Sequence, residues 1–221
     1  MFAKRTYVRM ANLARPEATP PGCIGQTGEM TAAPFLIRRT TEQDWAETRA
    51  LRLEMLADTP HAYLETVADA AARDEAGWRE RARRTAGPGA ISLAAILTGG
   101  EETGRWVGTM AAILPEGAAG ARLVGVYVAP DWRGAAAGVS GALLAGIEEW
   151  AGLHGDVLTL EVHQDSTAAR RFYKRHGFEE TGAVHPYPLD RSRLEFEMAK
   201  PLRAEQAGGA RLLGGGSERQ F

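Results

Sequence analysis

The chain has 221 residues, 44% of them hydrophobic, with 26 basic and 28 acidic side chains and a formal net charge of −2. Length and apolar content suit one domain of ordinary size with a substantial core. The interspersed charge gives no basic stripe for nucleic acid, and the lone Cys23 leaves no intrachain disulfide or thiolate metal cluster. No apolar run approaches the ~20 residues needed to span a bilayer.

Lys4, Arg5 and Arg9 are followed by no apolar stretch, a poor signal peptide, so a cytoplasmic protein without membrane attachment is expected. Residues 1–33 carry scattered Pro and Gly without apolar periodicity and read as a loose N-terminal extension, with Met30 an alternative start. The domain itself is expected over residues 34–202. The stretch 203–221, with Gly214 to Gly216, reads as a flexible tail.

Within the domain, Phe35 to Arg39 predicts a first strand. Thr41 and Asp44 resemble a helix start with an acid in the first turn, and Trp45, Leu51, Met55 and Leu56 give that helix an apolar face to about Ala57. A second helical region is predicted from about Ala68 to Arg84 around Trp78. Its arginines stand beside Asp74, Glu75 and Glu80, which marks a solvated face. Ala90 to Leu97 and Arg105 to Leu114 predict two strands joined by a glycine-rich hairpin loop.

The stretch from Val126 to Gly138, at the end of a strand from about Arg122 to Ala129, organises the rest. Val126, Tyr127 and Val128 favour a covered strand, and Pro130 ends its ladder. Small residues then lead into Val139, Leu143, Leu144 and Ile147, a helical apolar set running to about Leu153. The first amides of such a helix have no partner within it and attract anions, phosphates above all. Asp156 to His163 predicts the next strand, parallel to the first because a crossover helix joins them. Ser166 is placed as the cap of a helix through Tyr173 that ends at His176-Gly177. Two closing strands follow, at about Phe178 to Val184 and Arg193 to Ala199, bridged by a loop holding His185, Pro186 and Pro188.

Two motifs on this order of elements resemble the Gcn5-related N-acetyltransferases, the GNAT family. Val128-Ala-Pro130 with Arg133-Gly-Ala-Ala-Ala-Gly138 is similar to its acyl-CoA signature, with Ala136 where glycine is usual. Ser166-Thr-Ala-Ala-Arg-Arg-Phe-Tyr-Lys-Arg-His-Gly-Phe178 is similar to its second motif, with Ser166 in place of asparagine. The resemblance spans roughly residues 35–200. It implies an acyl-CoA N-acyltransferase fold of the α/β (α+β) class: a mixed, mostly antiparallel sheet with a central pair of parallel strands that splay, flanked by helices.

It also implies an acetyl-CoA-dependent N-acetyltransferase acting by direct transfer in a ternary complex, with acetyl-CoA as co-substrate and no metal. The pyrophosphate would rest on the amides of Gly134, Ala135, Ala136, Ala137, Gly138 and Val139, beside Arg133 and Ser166. The pantetheine arm would lie along Val126, Tyr127 and Val128 and pair with the backbone of Val126 and Val128, one of which polarises the thioester carbonyl.

Tyr173 matches the family's acid, which gives or hydrogen-bonds a proton to the departing thiolate. Glu161 matches the base of protein-acetylating members, with His163 and His185 as water-relay alternatives. The acceptor would enter between the segments Asp58 to Tyr63 and His185 to Asp190. A small-molecule primary amine is the leading acceptor. A protein N-terminus or lysine is the alternative, and a non-catalytic acyl-CoA-binding module is the alternative of another class. A monomer and a homodimer are equally open.

Overall fold

The computed structural model describes residues 34–202; the two predicted terminal segments, 1–33 and 203–221, lie outside them. Seven strands form one sheet in the order β1-β2-β3-β4-β5-β7-β6. They are β1 (Phe35–Arg39), β2 (Ala90–Leu97), β3 (Trp106–Ile113), β4 (Ala121–Val128), β5 (Val157–His163), β6 (Glu179–Tyr187) and β7 (Asp190–Pro201). All neighbours are antiparallel except β4 and β5, the parallel pair expected of the crossover.

The first helix, α1 (Trp45–Asp58), follows a 3-10 turn at Glu42–Asp44. There the Thr41 N–H and hydroxyl both donate to Asp44 Oδ2, at 2.7 and 2.9 Å. The second helical region is two helices rather than one, α2 (Val67–Ala72) and α3 (Glu75–Thr85). Asp74 causes the break. Its carboxylate accepts the Gly77 N–H at 2.8 Å, the hydrogen bond of a helix start, which an aspartate makes more readily than it sits mid-helix. Trp78 anchors α3 in the core, fully buried.

Against the opposite face lies α4 (Val139–Gly152). It sits close to the sheet because two contact positions lack a side chain. A Cβ at Gly146 would stand 2.7 Å from Leu93, and one at Gly108 would stand 3.1 Å from Leu143 and Val139. Strand alternation then assigns the faces. Gly108 faces α4 and pairs with Val128, so Tyr127 points the other way, where its hydroxyl meets Glu54 of α1 at 3.1 Å. Lys200 reaches Glu148 of α4 and pairs with Leu158, so Leu158, Leu160 and Val162 face α4 while Glu161 and His163 face the α1 side.

The last helix, α5 (Thr167–Arg175), ends as the sequence predicts, with Gly177 at a φ of +85° and the Phe178 N–H returning to the Tyr173 carbonyl at 3.1 Å. Ser166 holds the N-cap position, but its side chain makes no capping hydrogen bond.

The predicted loop after Val184 is instead strand. His185, Pro186 and Tyr187 belong to β6, and only Pro188 and Leu189 turn the chain into β7. Pro186 is accommodated because β6 is the edge of the sheet, where a missing N–H costs no ladder bond.

Candidate active site

The parallel pair is joined only at its beginning, with Ala121 opposite Leu158 and Arg122 opposite Thr159. Beyond that the strands part. Three residues of β4 cover the distance that two cover on β3 between Thr109 and Ala111, and the extra residue makes a bulge at Gly125, whose φ is +59°. A bulge bends its strand and increases its twist, which carries β4 away from β5. The partner edge of β5 is meanwhile held straight by β7 over its whole length.

The backbone at the parting is oriented by alternation. The Ala129 N–H donates to the Val107 carbonyl at 2.8 Å, so residues in phase with Ala129 bond to β3. Val126 and Val128, out of phase, turn their backbone groups into the gap. Both carbonyls there are met by side chains. The Tyr63 hydroxyl donates to Val126 O at 2.8 Å, and Arg133 Nε donates to Val128 O at 2.8 Å.

Arg133 therefore turns back from the helix start. Its guanidinium also pairs with Asp58 at the end of α1 and lies 5.6 Å from the Tyr127 ring centre. Burial works against ionising Asp58, but hydrogen bonds from Arg133 and Thr59 prevail and hold its carboxyl below the ordinary range.

From Arg133 the chain makes a turn of small residues. Its left-handed positions fall on Gly134 (φ +98°) and Gly138 (φ +72°), which only glycine adopts without strain. Gly134, Ala135 and Ala136 are exposed, and Ala137 is half-buried. Gly138 caps α4 with no side chain to fill the space, so the opening amides from Val139 onward face outward while Val139 itself packs in the core. A helix end of this form favours an anion through its unpaired N–H groups and its dipole.

Tyr173 enters from α5, on the α4 side of the sheet. It is buried, edge-on to Phe172 and Phe178, and near enough to Tyr63 for that group's charge to act on it. Burial pushes its hydroxyl well above the ordinary tyrosine range, so it stays protonated, and it makes no hydrogen bond to another described residue. Tyr63 comes from the α1 side and is likewise pushed up by burial. The two phenols thus approach the gap from opposite faces of the sheet.

On the α1 side, directly paired residues of neighbouring strands share one face. Glu161 stands opposite Glu197, and Glu195 stands between His163 and His185. Glu161 is exposed and pairs with Arg122 at 3.5 Å. Burial, then the charge of Glu161, raises the Glu195 carboxyl. His163 is buried, with its ring 5.2 Å from His61 and 4.8 Å from Tyr187. Its Nδ1 accepts the Asp165 N–H at 3.2 Å, which leaves its proton on Nε2, and burial followed by the charge of His61 lowers its affinity for a second.

The Tyr187 hydroxyl donates to the Tyr63 carbonyl at 2.7 Å, tying the β6–β7 hairpin to the segment after α1. The sequence located these two segments but not their connection. Each segment's one tyrosine makes that connection, Tyr63 through its carbonyl and Tyr187 through its hydroxyl, and no local signal announces it.

Residues 96–180 match the family model described as an acetyltransferase (GNAT) domain. The chain carries a GNAT acetyltransferase domain. The fold agrees. A GNAT-family acetyltransferase from Streptococcus pneumoniae is 20% identical with a TM-score of 0.63, covering 76% of this chain and 98% of its own. A GCN5-related N-acetyltransferase from Kribbella flavida gives 20% identity and 0.58, with the same coverage. The ribosomal-protein-S18-alanine N-acetyltransferase from Escherichia coli gives 18% and 0.53, covering 80% of this chain and 98% of its own. No curated protein sequence matches the chain. The matched segment of the GNAT domain runs from the end of β2 through α5, and so takes in the parting strands, the small-residue turn and Tyr173. No helix among the described residues is long and apolar enough to cross a membrane.

Proposed function

We propose that the acetyltransferase domain moves an acetyl group from acetyl-CoA to the primary amine of a small molecule by direct transfer in a ternary complex. The observation that carries this reading is the parting of β4 from β5, with Val126 and Val128 turned into the gap and Tyr173 at its margin. The pantetheine arm takes the place of the missing strand, and the pyrophosphate rests on the amides from Gly134 to Val139. Ser166, at the start of α5, is a further contact for the coenzyme.

In the transfer, the amine nitrogen forms a bond to the thioester carbon while a backbone amide of Val126 or Val128 stabilises the developing oxyanion. The carbon–sulfur bond breaks, and the thiolate takes a hydrogen bond and then a proton from Tyr173. A buried phenol with a raised pKa makes a poor phenolate, so the proton that Tyr173 gives is replaced as it leaves, from the proton released by the amine. A protonated amine must lose one proton before attack. Glu161 is the base we assign to that step. His163, with Nδ1 occupied and the proton on Nε2, is poorly prepared to accept it.

The carboxylates Glu161, Glu195 and Glu197 make the α1-side face suited to a cationic amine. The Tyr187–Tyr63 bridge across the same side supports a small acceptor ahead of a peptide. The test is acetyl-CoA consumption with a panel of amines, comparing wild type with Tyr173→Phe. If the wild type binds coenzyme A but transfers acetyl to none of the panel or to components of a cell extract, the enzyme reading loses.

A further inference from the structure

Away from the gap, one carboxylate holds three arginines. Glu65, between α1 and α2, accepts from Arg52 Nε at 2.9 Å, Arg73 Nη2 at 2.6 Å and Arg81 Nη1 at 3.3 Å. The three come from different elements: α1, the break after α2, and α3. A fourth, Arg84, is near enough for its charge to act on Arg81. The second carboxylate at this place, Asp69, is already bound by the Thr66 N–H and hydroxyl, at 3.3 and 2.6 Å. Three guanidiniums therefore line the place with two carboxylates, which leaves one positive charge in excess, and the charge of Arg84 adds to it. Burial works against ionising Glu65, yet the Arg73 hydrogen bond and the charges of Arg81 and Arg52 hold its carboxyl below the ordinary range.

The surroundings prevent the excess charge from being dispersed. The side chains of Arg52 and Glu65 are only 10% exposed, whereas Arg81 and Arg73 are 26% and 30% exposed. The group is buried at its base and open at its rim, around a cleft of about 480 Å3 that Leu64 completes. Burial, then the charge of Arg52, pushes Arg81 below the ordinary arginine range. Arg73 Nε is buried with no hydrogen-bond partner among the described residues, an orphan donor that marks the crowding of the group. The planes are held by aromatic rings: Arg73 and Arg81 lie 5.4 and 5.8 Å from Trp78, and Arg52 lies 4.6 Å from Tyr63. A guanidinium cannot shed its proton to relieve such crowding, and each keeps spare N–H donors in a rigid fork that matches oxyanions.

We propose that this cleft is a second binding site, taking a carboxylate or phosphate group of a small molecule between Arg52, Arg73 and Arg81. The group completes the charge balance that Glu65 and Asp69 begin, using the N–H groups that the three guanidiniums keep spare. Because Arg52 stacks on Tyr63, the bound group lies on the acceptor side of the sheet, away from the small-residue turn before α4.

The test titrates inorganic phosphate and, separately, succinate into the full chain at constant ionic strength, with and without coenzyme A, reading heat of binding and tryptophan emission. Wild type should bind one or both saturably, with the emission change lost in Trp78→Phe. Binding should weaken at least ten-fold in Arg73→Gln and in Arg81→Gln. Phosphate alone identifies a phosphate group, and succinate alone identifies a carboxylate. Should a glutamine variant melt without cooperativity, Arg81→Lys replaces it, keeping the charge, losing the fork, and weakening binding less. Three results overturn the proposal: no saturable binding, equal binding in all variants, or displacement by coenzyme A. The last would assign the anion to the amides before α4.

Discussion

The Tyr63 hydroxyl donates a 2.8 Å hydrogen bond to the Val126 carbonyl, on the side of β4 that β5 has left. A side chain from one face of the sheet thus occupies a backbone acceptor that a neighbouring strand would otherwise use. Tyr63→Phe removes that donor and keeps the ring under Arg52. We expect a loss of about 1 kcal/mol of stability, the usual net worth of such a bond. Coenzyme A affinity should change along with it, since the freed carbonyl faces the proposed pantetheine path. Urea unfolding and calorimetric coenzyme binding, done on the same variant, would check both; an unchanged midpoint and unchanged affinity would count against this role.

Tyr173→Phe separates chemistry from binding. The ring and its contacts with Phe172 and Phe178 remain, and only the hydroxyl goes. Turnover should fall by about 10²–10⁴-fold, the range for a lost general acid, while the dissociation constant for coenzyme A stays within a factor of a few. A variant that keeps its full kcat would remove Tyr173 from the mechanism.

Glu161→Gln addresses the base. It is nearly isosteric, and it removes the 3.5 Å pair with Arg122 and the charge that raises Glu195. We expect kcat to fall by about 10²-fold, with less of a deficit at alkaline pH, where more of the amine arrives already deprotonated. A deficit independent of pH would point to positioning rather than proton transfer.

Gly138→Ala forces a Cβ into left-handed backbone at the start of α4, where φ is +72°. The cost should be about 1–2 kcal/mol, visible as a lower melting temperature. If the amides there hold the pyrophosphate, coenzyme affinity falls too. Retained affinity in a destabilised variant would move the phosphates elsewhere.

His163 predicts a pH dependence of stability. Burial and the neighbouring His61 lower its folded-state pKa below the ordinary histidine value, so the unfolded chain takes up the proton first as pH falls. Stability from this group is complete above about pH 6.5, the unfolded value, and declines as the pH drops below it. His163→Phe should flatten that acid-side slope in thermal melts between pH 7 and 5. A slope that survives the substitution would assign it to other groups.

Most of the fold was legible because its signals are local. Val126 to Val128, stopped by Pro130, and the apolar set from Val139 to Ile147 specify a strand and a helix by side-chain type alone. What escaped depended on partners distant in sequence. The β6 strand runs on through His185 and Pro186 because an edge position tolerates proline, and edge status is fixed by how β7 inserts beside β5. The split of α2 from α3 rests on Asp74, whose carboxylate accepts the Gly77 N–H and so starts a second helix. Tyr173 was singled out by its motif, whereas Tyr63 acts through a carbonyl 63 residues away and Tyr187 through one 124 residues away. No spacing rule reaches so far.

The bulge at Gly125 has a thermodynamic consequence. By opening β4 from β5 it creates a sheet edge in the interior of the domain, where edges are normally paired. Tyr63 and Arg133 cover two of its carbonyls, and a pantetheine arm would cover more. A ligand that binds only the folded state adds RT ln(1 + [L]/Kd) to its stability, about 2.7 kcal/mol at a hundred-fold excess over Kd. The melting temperature should therefore climb with the logarithm of coenzyme concentration. A cell depleted of acyl-CoA would then hold a less durable protein as well as an idle one.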